Sequence, residues 1–536
     1  MGEGEGVVGM TAASASIGSG TVEEHGGSSQ RLVEMLQLLA ALVDACAAVA
    51  LYAYYCWSYW PRRGIPYIPG APFPFGHAWR AMLFQRYFGD ICCDLYSAVP
   101  SSEPMVGIYM FTQPGIVVKD PELIKSMLVK DFQHFHDRGL YVNEDVDPLT
   151  GHLVFMAGER WRLLRNRLTP TFTSGKMKMM FPTLEKCARE LVEVMGAGSR
   201  DVEFFDLLAR YGTDVIASCA FGLETHSLQN PDQEFRKWAR RLFVPTPARG
   251  LIGTFCNIFP SIANTFRIHT ISPDVDEYFT TLVKDAIEYR DSHGVSRADF
   301  LQLLMNLRDD QSTDKTPGSK DIKLTLGQLT AQCAVFLLAG FETSSTTMSL
   351  ALHELAFHQD IQKKLQQEID EALQKSGGQL TYDNVMNMPY LDKVVSETLR
   401  KYPPLPMLNR VVTQEYTVPD RQWVLEKGTM VLIPVMAVHN DPQHYPDPQR
   451  FDPERFSEEE KSKRHPFTYL PFGDGPRVCI GMRFGLMQTK MGLASLLSHY
   501  SVEPCDRTVR KLEWTKRSLL LNLVSGIWLR YTSREK

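Results

Sequence analysis

The chain has 536 residues, 44% of them hydrophobic and 22% charged, with a net charge of −5. That is an ordinary globular composition, long enough for several domains, and its acidic balance argues against a nucleic-acid partner, which needs a strongly basic surface. The ten cysteines show no metal-type pairing, only the adjacent Cys92 and Cys93 and scattered singles, a usage suited to a reducing compartment rather than a disulfide framework.

Residues 1–34 are rich in Gly, Ser, Ala and Glu and are expected to be disordered. Residues 35–60 follow as an apolar-aromatic run broken only by Gln37, Asp44 and Ser58, long enough to span a bilayer. Tyr52, Tyr54, Tyr55, Trp57, Tyr59 and Trp60 crowd its C-terminal end and Arg62-Arg63 follow, while Glu23, Glu24 and Glu34 precede it. This asymmetry predicts a single-pass anchor with the bulk of the chain in the cytosol, against the cost of Asp44, about 2.5–3.5 kcal/mol at mid-membrane. Met35 is an alternative start that would make residues 1–34 dispensable. Prolines at 61, 66, 69, 72 and 74 predict a semi-rigid hinge over 61–75.

From residue 76 to 536 helical periodicity dominates, with strand-like pieces at Val106–Tyr109, Gly115–Val118, Met430–Pro434 and the C-terminus. No linker-like break occurs, so one large, mainly α domain with small β-sheets is expected. Trp161 and Arg165 lie four apart on one helix face, where an indole N–H and a guanidinium suit a carboxylate, or equally a solvated basic face with a packed Trp. A long apolar helix, roughly Thr325 to His358, is interrupted by Ala339-Gly340-Phe341-Glu342-Thr343. Gly340 brings its backbone close to a flat ligand, a buried Glu342 is costly without a purpose, and Thr343 can simply bond its own i−4 carbonyl. Glu397 and Arg400 form an i, i+3 pair, to which Arg455 in Phe451-Asp452-Pro453-Glu454-Arg455-Phe456 adds a second guanidinium, a buried structural network rather than a catalytic one.

The run Phe472-Gly473-Asp474-Gly475-Pro476-Arg477-Val478-Cys479-Ile480-Gly481 then delivers one cysteine through a glycine-rich loop to the start of a helix, Gly481 to about Tyr500. Unpaired N–H groups and the helix dipole favour its thiolate, small neighbours admit a large flat ligand, and Arg477 can meet an anionic group on it. A buried thiolate facing such a ligand suits axial ligation of haem iron. A merely packed cysteine requires neither the glycines nor the arginine. Candidate substrate-contacting stretches are Leu140 to Phe155, Leu242 to Phe259, Pro404 to Leu408 and Ser518 to Leu521. Within them Phe243, Leu251, Ile252, Phe255 and Phe259 read equally as pocket, core or bilayer-dipping residues.

The loop resembles the haem-binding loop of the cytochromes P450, matching Phe-x-x-Gly-x-Arg-x-Cys-x-Gly at Phe472, Gly475, Arg477, Cys479 and Gly481. The block Asp137 to Leu184, with Thr169-Pro170-Thr171-Phe172-Thr173-Ser174-Gly175-Lys176, is similar to the insect microsomal detoxification group of that family. The resemblance implies the family fold behind an N-terminal membrane anchor, a haem-thiolate monooxygenase on the endoplasmic reticulum, and iron protoporphyrin IX ligated by Cys479. It implies haem-carboxylate partners at Trp161, Arg165, Arg410 and Arg138 (in His136-Asp137-Arg138-Gly139). It makes Glu342 and Thr343 a proton-delivering acid–alcohol pair for oxygen activation. It further implies O2 as co-substrate, NADPH electrons through NADPH–cytochrome P450 reductase with cytochrome b5 as an accessory partner, and a lipophilic substrate, probed best with xenobiotics such as plant toxins or insecticides. Arg162, Lys176, Lys178 and Arg483 read as a basic face for the reductase or as solvated charge. Alternatives are a steroid or fatty-acid hydroxylase, a peroxide-rearranging isomerase, which often lacks the acid–alcohol pair, and a non-catalytic haem carrier.

Overall fold

The structure, a computed structural model, describes residues 24–243, 246–309 and 324–535 and divides into two units, Met1–Ser58 and Tyr59–Lys536. In the first, helix α1 runs Glu24–Trp57 and its side chains from Arg31 onward are almost all exposed. The helix therefore begins upstream of residue 35, correcting the expected disorder of 24–34; residues 1–23 lie outside the described residues. Arg31–Trp57 is long and apolar enough to cross a membrane, at 27 residues and about 1.5 Å each, or roughly 40 Å.

The second unit claims Trp60, which the sequence assigned to the span. Its ring is fully buried, Nε1 donates to the Ile108 carbonyl at 2.9 Å, and it occupies the space a Cβ on Gly107 would need. The proline-rich stretch is likewise docked rather than hinge-like. Gly107 N–H donates to the Pro66 carbonyl (2.7 Å) and Ile68 N–H to the Gly107 carbonyl (2.9 Å), so the stretch runs alongside β1 (Met105–Met110). β1 pairs antiparallel with β2 (Gln113–Val118), as their β-branched and aromatic residues predict.

Helices α2 (Gly158–Leu168), α3 (Ser174–Met195) and α4 (Phe204–Ile216) follow, with β3 (Ser199–Glu203) between the last two. At the centre lies α5, Leu326–Phe357, started by a full capping box between Thr325 and Gln328. It packs against α4 and against α7 (Met482–His499), and the main core forms around these helices. Helix α6, Pro389–Lys401, carries the Glu397–Arg400 pair. Strands β4 (Leu408–Val411) and β5 (Met430–Ile433) complete a sheet in the order β1-β2-β5-β4, in which β5 is parallel to β2 and antiparallel to β4. The chain closes with β6 (Tyr500–Pro504) and β7 (Trp528–Ser533), which order with β3 as β3-β7-β6.

The expected structural network is present and fully buried. Glu397 receives Arg400 through both carboxylate oxygens (2.7 and 2.9 Å) and the Asp452 N–H (2.9 Å), while Arg400 also donates to the carbonyls of His439 and Pro448. Arg455 approaches at 3.6 Å and donates to the Asp447 carbonyl. Burial pushes the Glu397 carboxyl up, and these donors pull it back.

Candidate haem site

The cysteine loop is shaped by docking. Gly475 has φ +73°, and a Cβ there would lie 1.9 Å from the Leu128 carbonyl oxygen, so no other residue fits. One turn of 3₁₀ helix, Gly475–Arg477, then leads to Cys479, whose N–H donates to the Phe472 carbonyl at 2.9 Å. Phe472 itself packs half-buried against the main core. Gly481 caps α7; its φ of −86° is ordinary and no protein atom lies within 4 Å of where a Cβ would be. Neither backbone nor protein packing demands glycine at that point, which leaves room for a non-protein group beside the thiol.

Water can reach the Cys479 thiol, yet the surrounding protein is dense enough that burial raises it above its ordinary 9.0. The Gly481 N–H at the helix terminus, Arg165 and Arg138 favour the thiolate but burial outweighs them. A bound metal ion would supply the rest of that deprotonation.

The charges of Arg138 and Arg165 act on the thiol, and Arg410 and Arg477 join them in one cluster of four guanidinium groups. Arg410, on β4 opposite Val431, is 2% exposed; one of its terminal nitrogens donates to its neighbour's carbonyl at Asn409 (2.8 Å) and its Nε has no partner. Arg138 is brought beside it because Val411 N–H donates to the Asp137 carbonyl (2.9 Å) and Asn409 Nδ2 to the Arg138 carbonyl (2.7 Å); its Nε is also unpartnered. Arg165 arrives on α2 one turn after the buried Trp161. Burial lowers all of these and repulsion from neighbouring guanidinium groups adds to it for Arg138, Arg410 and Arg477, the last two each to about 9. Arg477 does more than expected. Three of its N–H groups are taken by the carbonyls of His136 (2.7 Å), Met156 (2.8 Å) and Leu153 (3.5 Å), and it stacks on the Trp161 ring at 3.9 Å. It ties the loop to α2 through three of its five N–H donors and leaves the others, with its charge, for an anion. The nearby acid is Asp137, 3.5 Å from Arg477 and already accepting from the Gly158 N–H. So many confined cations with orphaned N–H groups fit a ligand carrying more than one carboxylate, as protoporphyrin IX does.

On α5, every residue from Leu329 to Ala356 is buried except a strip formed by Leu338, Ala339, Gly340 and Thr343. Gly340 lies on this strip, and on its other side a Cβ would meet the Ile216 side chain of α4 at 2.4 Å, so helix packing also favours glycine here. Thr343 Oγ1 donates to the Ala339 carbonyl at 2.6 Å and keeps its lone pairs free to accept. Glu342 is 8% exposed, and burial alone raises its carboxyl from 4.5 to about 7. Its partner, Asn522 (3.0 Å), was not anticipated; it lies one residue beyond the Ser518–Leu521 stretch. His152 was also missed. Burial and Arg138 hold its ring neutral, lowered to about 3, and its Nδ1 has no partner. Of the ambiguous apolar residues, Leu251, Phe255 and Phe259 are exposed and so are not core, whereas Ile252 is half-buried beside Tyr141; the side chain of Phe243 lies outside the described residues.

Residues 72–528 match the family model described as Cytochrome P450. The chain is 43% identical over 484 residues to "Probable cytochrome P450 6a14" of Drosophila melanogaster (88% of this chain, 95% of that protein). It is 42% identical over 502 residues to "Cytochrome P450 6a2" of the same species (92% and 99%) and 40% over 517 to "Cytochrome P450 6k1" of Blattella germanica (93% and 97%). Motif, arginine cluster and similarity along nearly the whole length agree: the chain belongs to the cytochrome P450 family of haem-dependent monooxygenases.

Proposed function

We propose that this protein is a membrane-anchored monooxygenase of lipophilic compounds foreign to the organism, such as plant toxins or insecticides, fed with NADPH electrons by a flavoprotein reductase and assisted by cytochrome b5. The observation that carries the reading is Cys479, exposed at the end of its loop and acted on by the charges of Arg138 and Arg165, with Arg410 and Arg477 facing Arg138. Cys479 would ligate the iron; Arg138, Arg165, Arg410 and Trp161 would hold the carboxylates; Phe472, Arg477 and Gly481 would shape the loop around the ring. Bound haem b supplies the oxidising chemistry, reductive activation of dioxygen and transfer of one oxygen atom to substrate. Glu342, with a carboxyl near 7, is suited to give up a proton and regain one from water near neutral pH, and the Thr343 hydroxyl is oriented to accept while donating to Ala339.

Helix α1 supports anchoring in the endoplasmic reticulum membrane with the catalytic unit in the cytosol. The exposed apolar Leu251, Phe255 and Phe259 suit approach of greasy substrates from a bilayer. The test is turnover of a broad panel of lipophilic toxicants by the protein reconstituted with reductase and NADPH. Oxidation of many structurally unrelated compounds supports the xenobiotic role. Oxidation confined to one steroid or fatty acid replaces it with a dedicated hydroxylase, and NADPH-independent rearrangement of a peroxide contradicts it.

A further inference from the structure

Glu342 is held from the other end of the chain. Its Oε1 accepts a hydrogen bond from Asn522 Nδ2 at 3.0 Å across 180 residues of sequence. The backbone that carries Asn522 is pinned on both sides. Thr515 N–H donates to its carbonyl at 2.7 Å, Val524 N–H to the Glu513 carbonyl at 3.0 Å, and Trp514 bridges Leu523. On the other side Leu521 is fully buried and its N–H donates to the Pro404 carbonyl at 3.0 Å. This hairpin delivers one carboxamide to a carboxyl that burial raises and that no charged or titratable side chain perturbs among the described residues.

A carboxamide is suited to a partner that changes protonation. Nδ2 donates to the carboxylate; turned by half a rotation, Oδ1 accepts from the protonated acid. A leucine would leave either form unpartnered, and a lysine would lock the ionised one. We propose that Asn522 is a positioning residue for the monooxygenase reaction, keeping the Glu342 carboxyl in one place and orientation while it releases a proton toward the haem side and takes a replacement from water. The proposal rests on Glu342 being the proton carrier, as inferred above.

The test uses the haem-loaded full chain and reads two things. The first is the infrared C=O stretch of the protonated Glu342 carboxyl, identified by its loss in Glu342→Gln and followed against pH. Asn522→Leu removes the donor, so the titration midpoint moves up by about one pH unit, the scale of one hydrogen bond to a charged acceptor. Asn522→Asp, nearly the same shape, moves it up as well by placing a second acid alongside. Asn522→Gln returns it toward the native value. The second is the fraction of NADPH electrons recovered as product, which falls several-fold in Asn522→Leu and Asn522→Asp and recovers in Asn522→Gln. Should Asn522→Leu fail to retain haem, the aspartate variant carries the test. Native midpoints in both variants, or native coupling in both while Glu342→Gln uncouples, overturn the role of Asn522. Native coupling in Glu342→Gln itself overturns the proton-carrier reading, and the functional role of Asn522 with it, whatever the infrared titration shows.

Discussion

Replacing Arg410 by Met should move the stability of the haem-free and haem-loaded proteins in opposite directions. In the protein alone, Arg410 is 2% exposed, has one main-chain acceptor and an unpaired Nε, and faces Arg138 and Arg477. Burial and the neighbouring guanidinium groups lower its pKa from 12.5 to about 9, a gap worth roughly 5 kcal/mol at 1.36 kcal/mol per tenfold. Because a guanidinium stays charged at neutral pH, the fold bears that cost, and after the Asn409 contact is subtracted about 2–4 kcal/mol should be recovered on substitution. With haem bound, the same guanidinium compensates a buried carboxylate, and its loss should weaken haem binding by about 2–4 kcal/mol. Denaturant unfolding of the haem-free protein and the rate of haem transfer to an excess of a haem-scavenging protein read the two effects. Destabilisation of both forms, with unchanged haem transfer, would refute the argument that this cluster is built for an anionic ligand.

Glu342→Gln should flatten the pH dependence of stability. The folded protein keeps this proton between 4.5 and about 7, where the unfolded chain has released it, so the contribution is complete below 4.5 and is lost as pH rises through 7. The variant should therefore gain up to about 3 kcal/mol over the native chain between about pH 5 and about pH 8, read by denaturant unfolding; equal slopes would exclude the raised carboxyl. Thr343→Ala removes only a bond to the Ala339 carbonyl and should change stability by less than about 1 kcal/mol. It should nevertheless divert NADPH electrons to hydrogen peroxide, and unchanged product yield per NADPH would count against Thr343. Glu397→Ala strands Arg400 at zero exposure and should cost about 3–5 kcal/mol in unfolding experiments; a loss under about 1 kcal/mol would show that the carbonyls of His439 and Pro448 suffice.

Elements with local causes were legible from residues alone. The apolar run from about Thr325 to His358 announces α5, and the β-branched and aromatic pieces Val106–Tyr109 and Gly115–Val118 announce β1 and β2. The loop glycines, Cys479 and the Glu397–Arg400 pair were readable because each meets a local steric or charge requirement. Trp60 was misassigned because an apolar-aromatic run looks the same whether its last residue meets lipid or the backbone of Gly107. The packing of Gly340 against Ile216 was not legible because Ile216 lies more than a hundred positions away. Asn522 and His152 were invisible for the same reason: nothing beside them in sequence marks a polar group whose partner comes from another part of the fold.

The carbon monoxide difference spectrum of the dithionite-reduced, membrane-bound protein tests the central claim most directly, with Cys479→Ala measured in parallel. A thiolate bound to haem iron gives a strongly red-shifted Soret band in the native protein and none in the variant. A band at the position of histidine-ligated haem, a band unchanged by Cys479→Ala, or well-folded native protein with no haem band would contradict the assignment of Cys479.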